Sequence, residues 1–454
     1  MSWLEILLFG FSFIYIITNH ITKINLTTMV NLLALTGFGF LMGHILFDVT
    51  NWQLYPLYFF IAMSWTVTIV GILMRKNDQI PRDNKKKIAI IGTTAIVLSG
   101  MLMLIFPVYE IPAPEGEYAI GTFTFELTDP DRVEMYGKHA EASDSLRRLR
   151  VQLWYPSDQV NGYKRVAWLQ DGIKLSRSLA KEMKLPFFVL DHTKDVLSNA
   201  YLEAPISDDK DKFPVIVLSH GWMGFRNLHN DFAELLASNG YVVLGIDHTY
   251  GSQLTLFDDG FAAELYKSAL PDRDSTSDFL DYANQLVLTY AGDIKLVLDS
   301  LESLNDGEYS KSINGELDLS RIGLMGHSTG GGAGVSAALN DDRVKSIFGM
   351  DAWVEPLGME TMTVGLSIPA LFLRSEQWEG GLNDNYLTPL VQASNDAKLI
   401  QIDGTTHIDF TMSTMFSSLT GIIGFTGKLD REQSASLQHD YVLEFFNQSL
   451  NKEN

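Results

Sequence analysis

The sequence predicts an α/β protein, a mostly parallel sheet with helices on both faces, preceded by a transmembrane region of four helices. Three observations carry this. Long uncharged stretches crowd the first 109 residues. From residue 121 onward, short continuous apolar runs alternate with amphipathic stretches. The acidity is confined to this second part: residues 1–108 hold seven Lys/Arg and four Asp/Glu, whereas the rest of the chain holds 27 basic and 51 acidic residues.

A bilayer core takes about 20 apolar residues in helical form. Residues 54–74 and 88–109 carry no charge, residues 29–47 are interrupted only by Asn31 and His44, and residues 6–22 form a weaker fourth span. That first span has no basic n-region, carries Glu5 before it and shows no small-x-small cleavage site, so it reads as a retained helix rather than a signal peptide. Lys23 follows the first span, and Arg75, Lys76, Arg82, Lys85, Lys86 and Lys87 lie between the third and fourth. The positive-inside rule puts both basic connections in the cytoplasm and the large domain outside, with Trp52, Tyr55 and Tyr58 at the outer aromatic belt. His44, near Asp48, reads as a structural residue at the outer interface. Residues 110–120, with Pro112 and Pro114, read as a short stiff linker.

The catalytic-sized remainder, residues 121–454, gives strand signals at 149–155, 213–219, 241–247, 321–325, 344–350, 370–373 and 398–402. Helical spacing appears at 230–237, 278–304, 331–339 and 434–449. Continuous apolar strands separated by helices indicate a parallel sheet covered on both faces, with ligands beyond the carboxyl ends of the strands. An acidic domain of this kind has no basic path for a phosphate backbone, which excludes nucleic acid. Cysteine is absent, so a covalent nucleophile must be Ser, Thr, Lys or a carboxylate. No run has calcium-loop spacing, and the run from Ser207 to Lys212 reads as an exposed loop.

The chemistry lies in RIGLMGHSTGGG, from Arg321 to Gly332. Gly326-His327-Ser328-Thr329-Gly330 is a G-x-S-x-G sequence between an apolar strand and a helix of small residues, the setting of the nucleophile elbow in the α/β-hydrolase fold. Ser328 is the candidate nucleophile. The N–H of Thr329, at the helix start, and that of Trp222, in the loop after the 213–219 strand, are the candidate oxyanion donors. Two histidines follow Ser328. His407 sits in a strand-exit loop and is the candidate base, whereas His439 falls on a surface helix. Two carboxylates end strands in the right interval, Asp351 and Glu376, and spacing alone leaves both open; the commoner placement in the fold favours Glu376.

The stretch from about Gly121 to Phe446 resembles the platelet-activating factor acetylhydrolases, the family of the lipoprotein-associated phospholipase. The resemblance is carried by Thr128-Asp129-Pro130 with Arg132, VQLWYP, SHGWMGFR, LASNGYVV, GHSTGG, MDAW, RSE at Glu376 and His407 with Phe410. It implies Asp351 as the acid, and calcium-independent hydrolysis of short or oxidised acyl chains from phospholipids, with no metal and no organic cofactor. Four membrane spans depart from the family's usual pattern, Trp222 stands where the family has Leu, and His248-Thr249-Tyr250-Gly251 replaces its basic stretch. The expected partners are a lipid or ester substrate and the membrane. Two other readings remain at this stage: a general esterase of diffusible or polyester substrates, and an inactive hydrolase fold used as a membrane-tethered binding module.

Overall fold

The computed structural model describes residues 2–21, 27–74, 82–137, 145–208 and 212–451. Lys23, Arg75 and Lys76 of the basic connections, and part of the run from Ser207 to Lys212, lie outside the described residues.

Four helices open the chain: α1 (Trp3–Ile21), α2 (Thr27–Phe47), α3 (Tyr55–Leu73) and α4 (Arg82–Ile105). Among the described residues, three helices are long and apolar enough to cross a membrane, and Trp3–Asn19 is a shorter apolar helix. The bundle is apolar inside and outside alike. Leu8, Leu41, Leu54, Leu57 and Ile61 pack together, while Phe13, Leu32, Phe59, Ile90 and Leu104 are exposed on the outer faces. A helix apolar all round has no watery side to prefer. A Cβ at Gly92 would meet the Phe60 ring at 2.5 Å, so this glycine sets how closely α3 and α4 approach. His44 is fully buried, 3.9 Å from Glu5 and 4.0 Å from Asp48.

Two expectations shift here. The basic residues at 82–87 form the first turns of α4 instead of a loop, because Arg and Lys favour helix. The same helix ends at Ile105, short of residue 109, because Pro107 has no N–H to continue it and restricts the residue before it. The linker is also not a free spacer. Tyr118 N donates to Ser238 O at 3.1 Å, Asn199 Nδ2 donates to Pro112 O at 3.0 Å, and Ile111 is buried with Trp168, Phe225 and Met412. The 110–120 boundary is overrun by the first strand, which begins at Ala119.

The remaining chain forms β1 (Ala119–Val133), β2 (Leu146–Ser157), β3 (Arg165–Ala167), α5 (Gly172–Glu182), β4 (Leu197–Leu202), β5 (Phe213–Ser219), α6 (Asn230–Ser238), β6 (Val242–Asp247), β7 (Leu254–Leu256) and β8 (Ala262–Glu264). There follow α7 (Phe279–Asn305), β9 (Leu317–His327), α8 (Thr329–Asn340), β10 (Val344–Met350), α9 (Gly358–Met362), β11 (Ala370–Ser375), α10 (Asp384–Ala393), β12 (Ala397–Ile402) and α11 (Arg431–Leu450). Ten strands make one sheet in the order β12-β11-β10-β9-β5-β6-β2-β1-β4-β3. From β6 through β5 and β9 to β12 all pairs are parallel. β2 runs antiparallel to both β6 and β1.

The period of two along each strand builds two cores. In β5, Val215 and Val217 join Val287, Tyr290 and Ile294 of α7 on one face. Ile216 and Leu218 join Phe232 and Leu236 of α6 and Phe446 of α11 on the other. Helices on both faces leave the carboxyl ends of β5, β6, β9, β10, β11 and β12 as the place where loops meet. The hairpin partner β1 escapes the strand signals because Asp129-Pro130 interrupts its alternation; the register with β2 shifts there, between Thr128 and Val133.

Candidate active site

β9 ends at His327 and α8 begins at Thr329, so Ser328 alone makes the turn. Its backbone sits at φ 54°, ψ −121°, a region that non-glycine residues avoid and that is retained where the surroundings over-determine it. The surroundings do so. Ser328 N donates to Met350 O at 2.9 Å, and Ser328 O accepts from Gly332 N at 3.0 Å and Trp353 N at 2.9 Å. A Cβ at Gly330 would overlap the carbonyls of Ser219 and His220, and one at Gly221 would lie 2.8 Å from Ser328 Cβ. The elbow therefore packs directly on the loop that follows β5.

Asp351 lies one residue beyond β10, also with positive φ (41°). Its N–H donates to Leu373 O at 2.8 Å. The carboxylate is fully buried and accepts three hydrogen bonds, from Ser375 N at 2.7 Å, Ser375 Oγ at 2.6 Å and His407 Nδ1 at 3.0 Å. A carboxylate only accepts, so Nδ1 of His407 carries the proton and Nε2 keeps its lone pair when the ring is neutral. The loop carrying His407 is held at several points. His407 N donates to Gln377 Oε1 at 2.8 Å, Thr406 and Asp409 form a reciprocal capping box, and Gly404 N donates to Glu376 Oε2 at 2.6 Å. Of the two carboxylates open from spacing, Asp351 thus meets the imidazole, and Glu376 instead pins the loop backbone three residues upstream. His407 O lies 3.1 Å from His327 Nε2, which brings residue 407 against the residue preceding Ser328. His439 is elsewhere, 3.1 Å from Asp231.

The imidazole of His407 contacts two rings. Trp378 stacks on it at 4.4 Å and 4°, and His327 lies 4.4 Å away at 31°. Burial pushes His327 well down from the ordinary histidine range, and positive charge on His407 would push it further. His327 therefore stays neutral. Trp222 N and Thr329 N have no backbone acceptor among the described residues, and both follow residues that touch the elbow. No group of three or more His, Cys, Asp or Glu side chains with metal-binding geometry occurs among the described residues.

Sequence reasoning missed four parts of this arrangement: Trp378, Ser375, Asn383 and the buried polar cluster behind the β5 loop. Asn383 holds the turn after Asp351, accepting from Val354 N at 2.9 Å and Glu355 N at 3.1 Å and donating to Ala352 O at 2.9 Å. Ser375 and the residues at the end of β5 fall inside the motifs quoted above, but their partners do not. Ser375, Trp378 and Asn383 meet the site because β11 lies beside β10, and the polar cluster forms because the loop after β6 and α7 pack behind β5.

A serine on a strained strand-to-helix turn, at the carboxyl edge of a parallel sheet and beside a histidine-bearing loop, defines the α/β-hydrolase class. The chain belongs to the family described as platelet-activating factor acetylhydrolase, isoform II, whose pattern it matches over residues 103–454, and it is a hydrolase. The match leaves out α1 to α3 and most of α4. Platelet-activating factor acetylhydrolase of Cavia porcellus is 24% identical over 387 residues, covering 78% of this chain and 81% of that protein. The protein of that name from Gallus gallus is 24% identical, covering 75% and 84% respectively. A probable 1-alkyl-2-acetylglycerophosphocholine esterase of Arthroderma benhamiae is 25% identical over a shorter stretch, 37% of this chain and 38% of that protein. In fold, the chain is similar to a ferulic acid esterase from Streptomyces cinnamoneus, with a TM-score of 0.58, 23% identity and coverage of 75% of this chain and 93% of that one.

Proposed function

We propose that the chain is a membrane-anchored serine esterase that removes short or oxidised acyl groups from phospholipids or related lipid esters. In this reading Ser328 is the nucleophile, His407 the base and Asp351 the acid. The N–H groups of Trp222 and Thr329 form the oxyanion hole, the chain from Ala119 onward is the catalytic domain, and α1 to α4 cross the bilayer four times with that domain outside. The observation that carries it is the 3.0 Å contact between His407 Nδ1 and Asp351 Oδ2 in a loop seated on the elbow of Ser328.

The chemistry follows from the tautomer. With Nδ1–H donated to Asp351, Nε2 of His407 takes the hydroxyl proton as Ser328 Oγ attacks the ester carbonyl. Charge develops on the carbonyl oxygen, and two main-chain N–H groups fixed in advance stabilise it without reorganisation. Collapse releases the alcohol, a lysophospholipid, which takes its proton from His407. Water then repeats the sequence on the acyl-enzyme and frees the short acid.

Two features support a lipid substrate. Ser417 Oγ donates to Ile105 O at 2.8 Å and Ser418 N to the same oxygen at 3.0 Å, so the segment after His407 caps the last membrane-length helix. Trp52, just before α3, meets Phe188 of the body at 5.3 Å. The site would thus be tethered close to the bilayer surface. The test is an acyl-length series of phospholipids in vesicles beside matched water-soluble esters, using the purified full-length protein and the Ser328→Ala control. Preference for acetyl or oxidised short chains on glycerophospholipids is expected. Turnover of diffusible esters alone would leave the general esterase reading, and no Ser328-dependent turnover would leave the binding-module reading.

A further inference from the structure

Behind the β5 loop lies a second serine–histidine–aspartate array that no step above uses. Ser219 Oγ is 2.7 Å from His248 Nε2, and His248 Nδ1 is 3.0 Å from Asp293 Oδ2. All three side chains are shut off from solvent, so no ester reaches them. Asp293 also receives Arg147 Nε at 3.0 Å and Nη2 at 2.6 Å, and Arg132 Nη2 at 2.8 Å. Burial opposes its ionisation, but Arg147 and the His248 hydrogen bond outweigh burial and hold the carboxyl well below the usual carboxylate range. His248 itself is pushed down by burial and lies flat on Tyr290 at 3.6 Å.

Donor and acceptor rules then assign every proton in the cluster. Asp293 accepts only, so His248 donates through Nδ1 and its Nε2 accepts from Ser219 Oγ–H. His220 Nδ1 lies 2.7 Å from the Gly221 carbonyl, so it too is a donor at Nδ1. Its Nε2 therefore accepts, from Ser252 Oγ at 2.8 Å and from His248 N–H at 3.4 Å. The loop after β6 is wound on the same residue: Gly251 N and Ser252 N donate to His248 O at 2.8 and 2.7 Å, and Met223 N reaches back to Gly251 O at 3.0 Å.

We infer that His248, oriented by Asp293, is a positioning residue for the oxyanion hole. Its ring holds Ser219 Oγ at the end of β5, and its own N–H and C=O hold His220 Nε2 and the turn at Gly251 and Ser252, so that the residue acts from both sides on the peptide between Gly221 and Trp222. The physical link is the planarity of that peptide. Its carbonyl is tied on one side by His220 Nδ1–H and by Gly224 N–H at 2.9 Å. In a trans peptide the N–H points opposite to the C=O. Holding the Gly221 carbonyl toward His220 therefore turns the Trp222 N–H the other way, toward the elbow, where the glycine leaves only contact distance to Ser328 Cβ. If the array loosens, His220 can change tautomer, the carbonyl loses its donor, and the N–H loses its aim. The inference rests on the esterase reading of Ser328, and it concerns where the second donor of that site gets its direction.

The experiment uses full-length protein in detergent and compares kcat, KM, thermal midpoint and affinity for a trifluoromethyl ketone lipid analogue. Ser328 adds to such a ketone and leaves an oxyanion in the hole, so its affinity reports the aim of the donors. In His248→Asn, kcat on a short-chain ester is expected to fall tenfold or more, with KM within twofold. Ketone affinity should fall in step with kcat/KM, and the midpoint should stay within a few degrees. His248→Gln, whose amide oxygen reaches toward the place of Nε2, should be less impaired. Ser252→Ala removes only a hydroxyl and covers the case in which His248→Asn does not fold; it should lose threefold or more in kcat. Variants with kcat and ketone affinity unchanged overturn the inference, as does a loss confined to KM or to the thermal midpoint. A wild-type protein that neither hydrolyses esters nor reacts with a fluorophosphonate overturns the esterase reading itself, and the inference with it.

Discussion

The indole of Trp378 stacks on the imidazole of His407, 4.4 Å between centroids and 4° from parallel, and the His327 ring lies 4.4 Å away, tilted by 31°. The ring of the proposed base is thereby held in one orientation while Asp351 holds its Nδ1 edge. Trp378→Ala removes the stacking partner and leaves the ring free to turn. A fall in kcat of about tenfold is expected, less than the roughly 10² to 10⁴-fold that general acid–base catalysis contributes as a whole, because the base itself remains; Trp378→Phe should be less affected. Steady-state kinetics on one soluble short-chain ester checks it.

The two candidate acids make opposite predictions. Asp351→Asn takes the buried charge from His407 and should lower kcat by about 10³ to 10⁴-fold, as loss of the orienting carboxylate does in serine hydrolases. Glu376→Gln keeps an oxygen for Gly404 N and should change kcat by no more than a few-fold. Equal losses in both variants would remove Asp351 from its proposed role.

Stability should fall as the medium is acidified. Burial pushes His192 and His229 down to about 4, whereas an unfolded histidine titrates near 6.5. Between these values the unfolded chain binds more protons than the folded one, so folded-state stability is intact above pH 6.5 and declines toward pH 4. Each histidine costs roughly 3 kcal/mol by the lower limit. Asp247, raised to about 6 by burial beside Arg226, opposes this, but His220, His248 and His327 act in the same sense as the first two. Thermal midpoints measured from pH 7.5 to 4.5 check it, and His229→Gln should flatten the slope.

Gly330→Ala should be more damaging than its size suggests. The added methyl would overlap the main-chain oxygens of Ser219 and His220, which belong to the strand end and cannot swing aside as a side chain would. A cost of about 1–3 kcal/mol is expected for such overpacking, with activity lost ahead of stability because the elbow and the β5 loop are forced apart. Circular dichroism melts paired with fluorophosphonate labelling separate the two.

The proposed topology predicts that cells expressing the full chain are labelled from outside by a membrane-impermeant fluorophosphonate, and that Ser328→Ala abolishes the label. Carbonate washing should leave the protein in the membrane pellet. Labelling only after the cells are opened would reverse the orientation.

Much of the arrangement is local and so was legible in advance. A strand, a turn and a helix adjacent in sequence make the elbow, and G-x-S-x-G between an apolar run and small residues marks it, although distant groups such as Met350 O and Trp353 N hold its backbone. The same holds for β5 and β10, whose bounds coincide with the strand signals at 213–219 and 344–350. Where signals are weaker, the reading slipped. The strand β1 is broken by Asp129-Pro130, and the start of α4 is disguised by charged residues that are themselves good helix formers.

By itself the sequence determined the class of the fold, the nucleophile turn and the presence of membrane-length helices, because each follows from the spacing of neighbouring residues. Spacing alone narrowed the acid to two residues, and the family resemblance carried by the motifs chose Asp351. Which indole covers His407, what Glu376 holds instead and how Asp293 comes to lie beside His248 were decided only by the tertiary structure. These are contacts between strands and helices dozens of residues apart, and their distances depend on the order in which the sheet is laid down, a property no local pattern encodes.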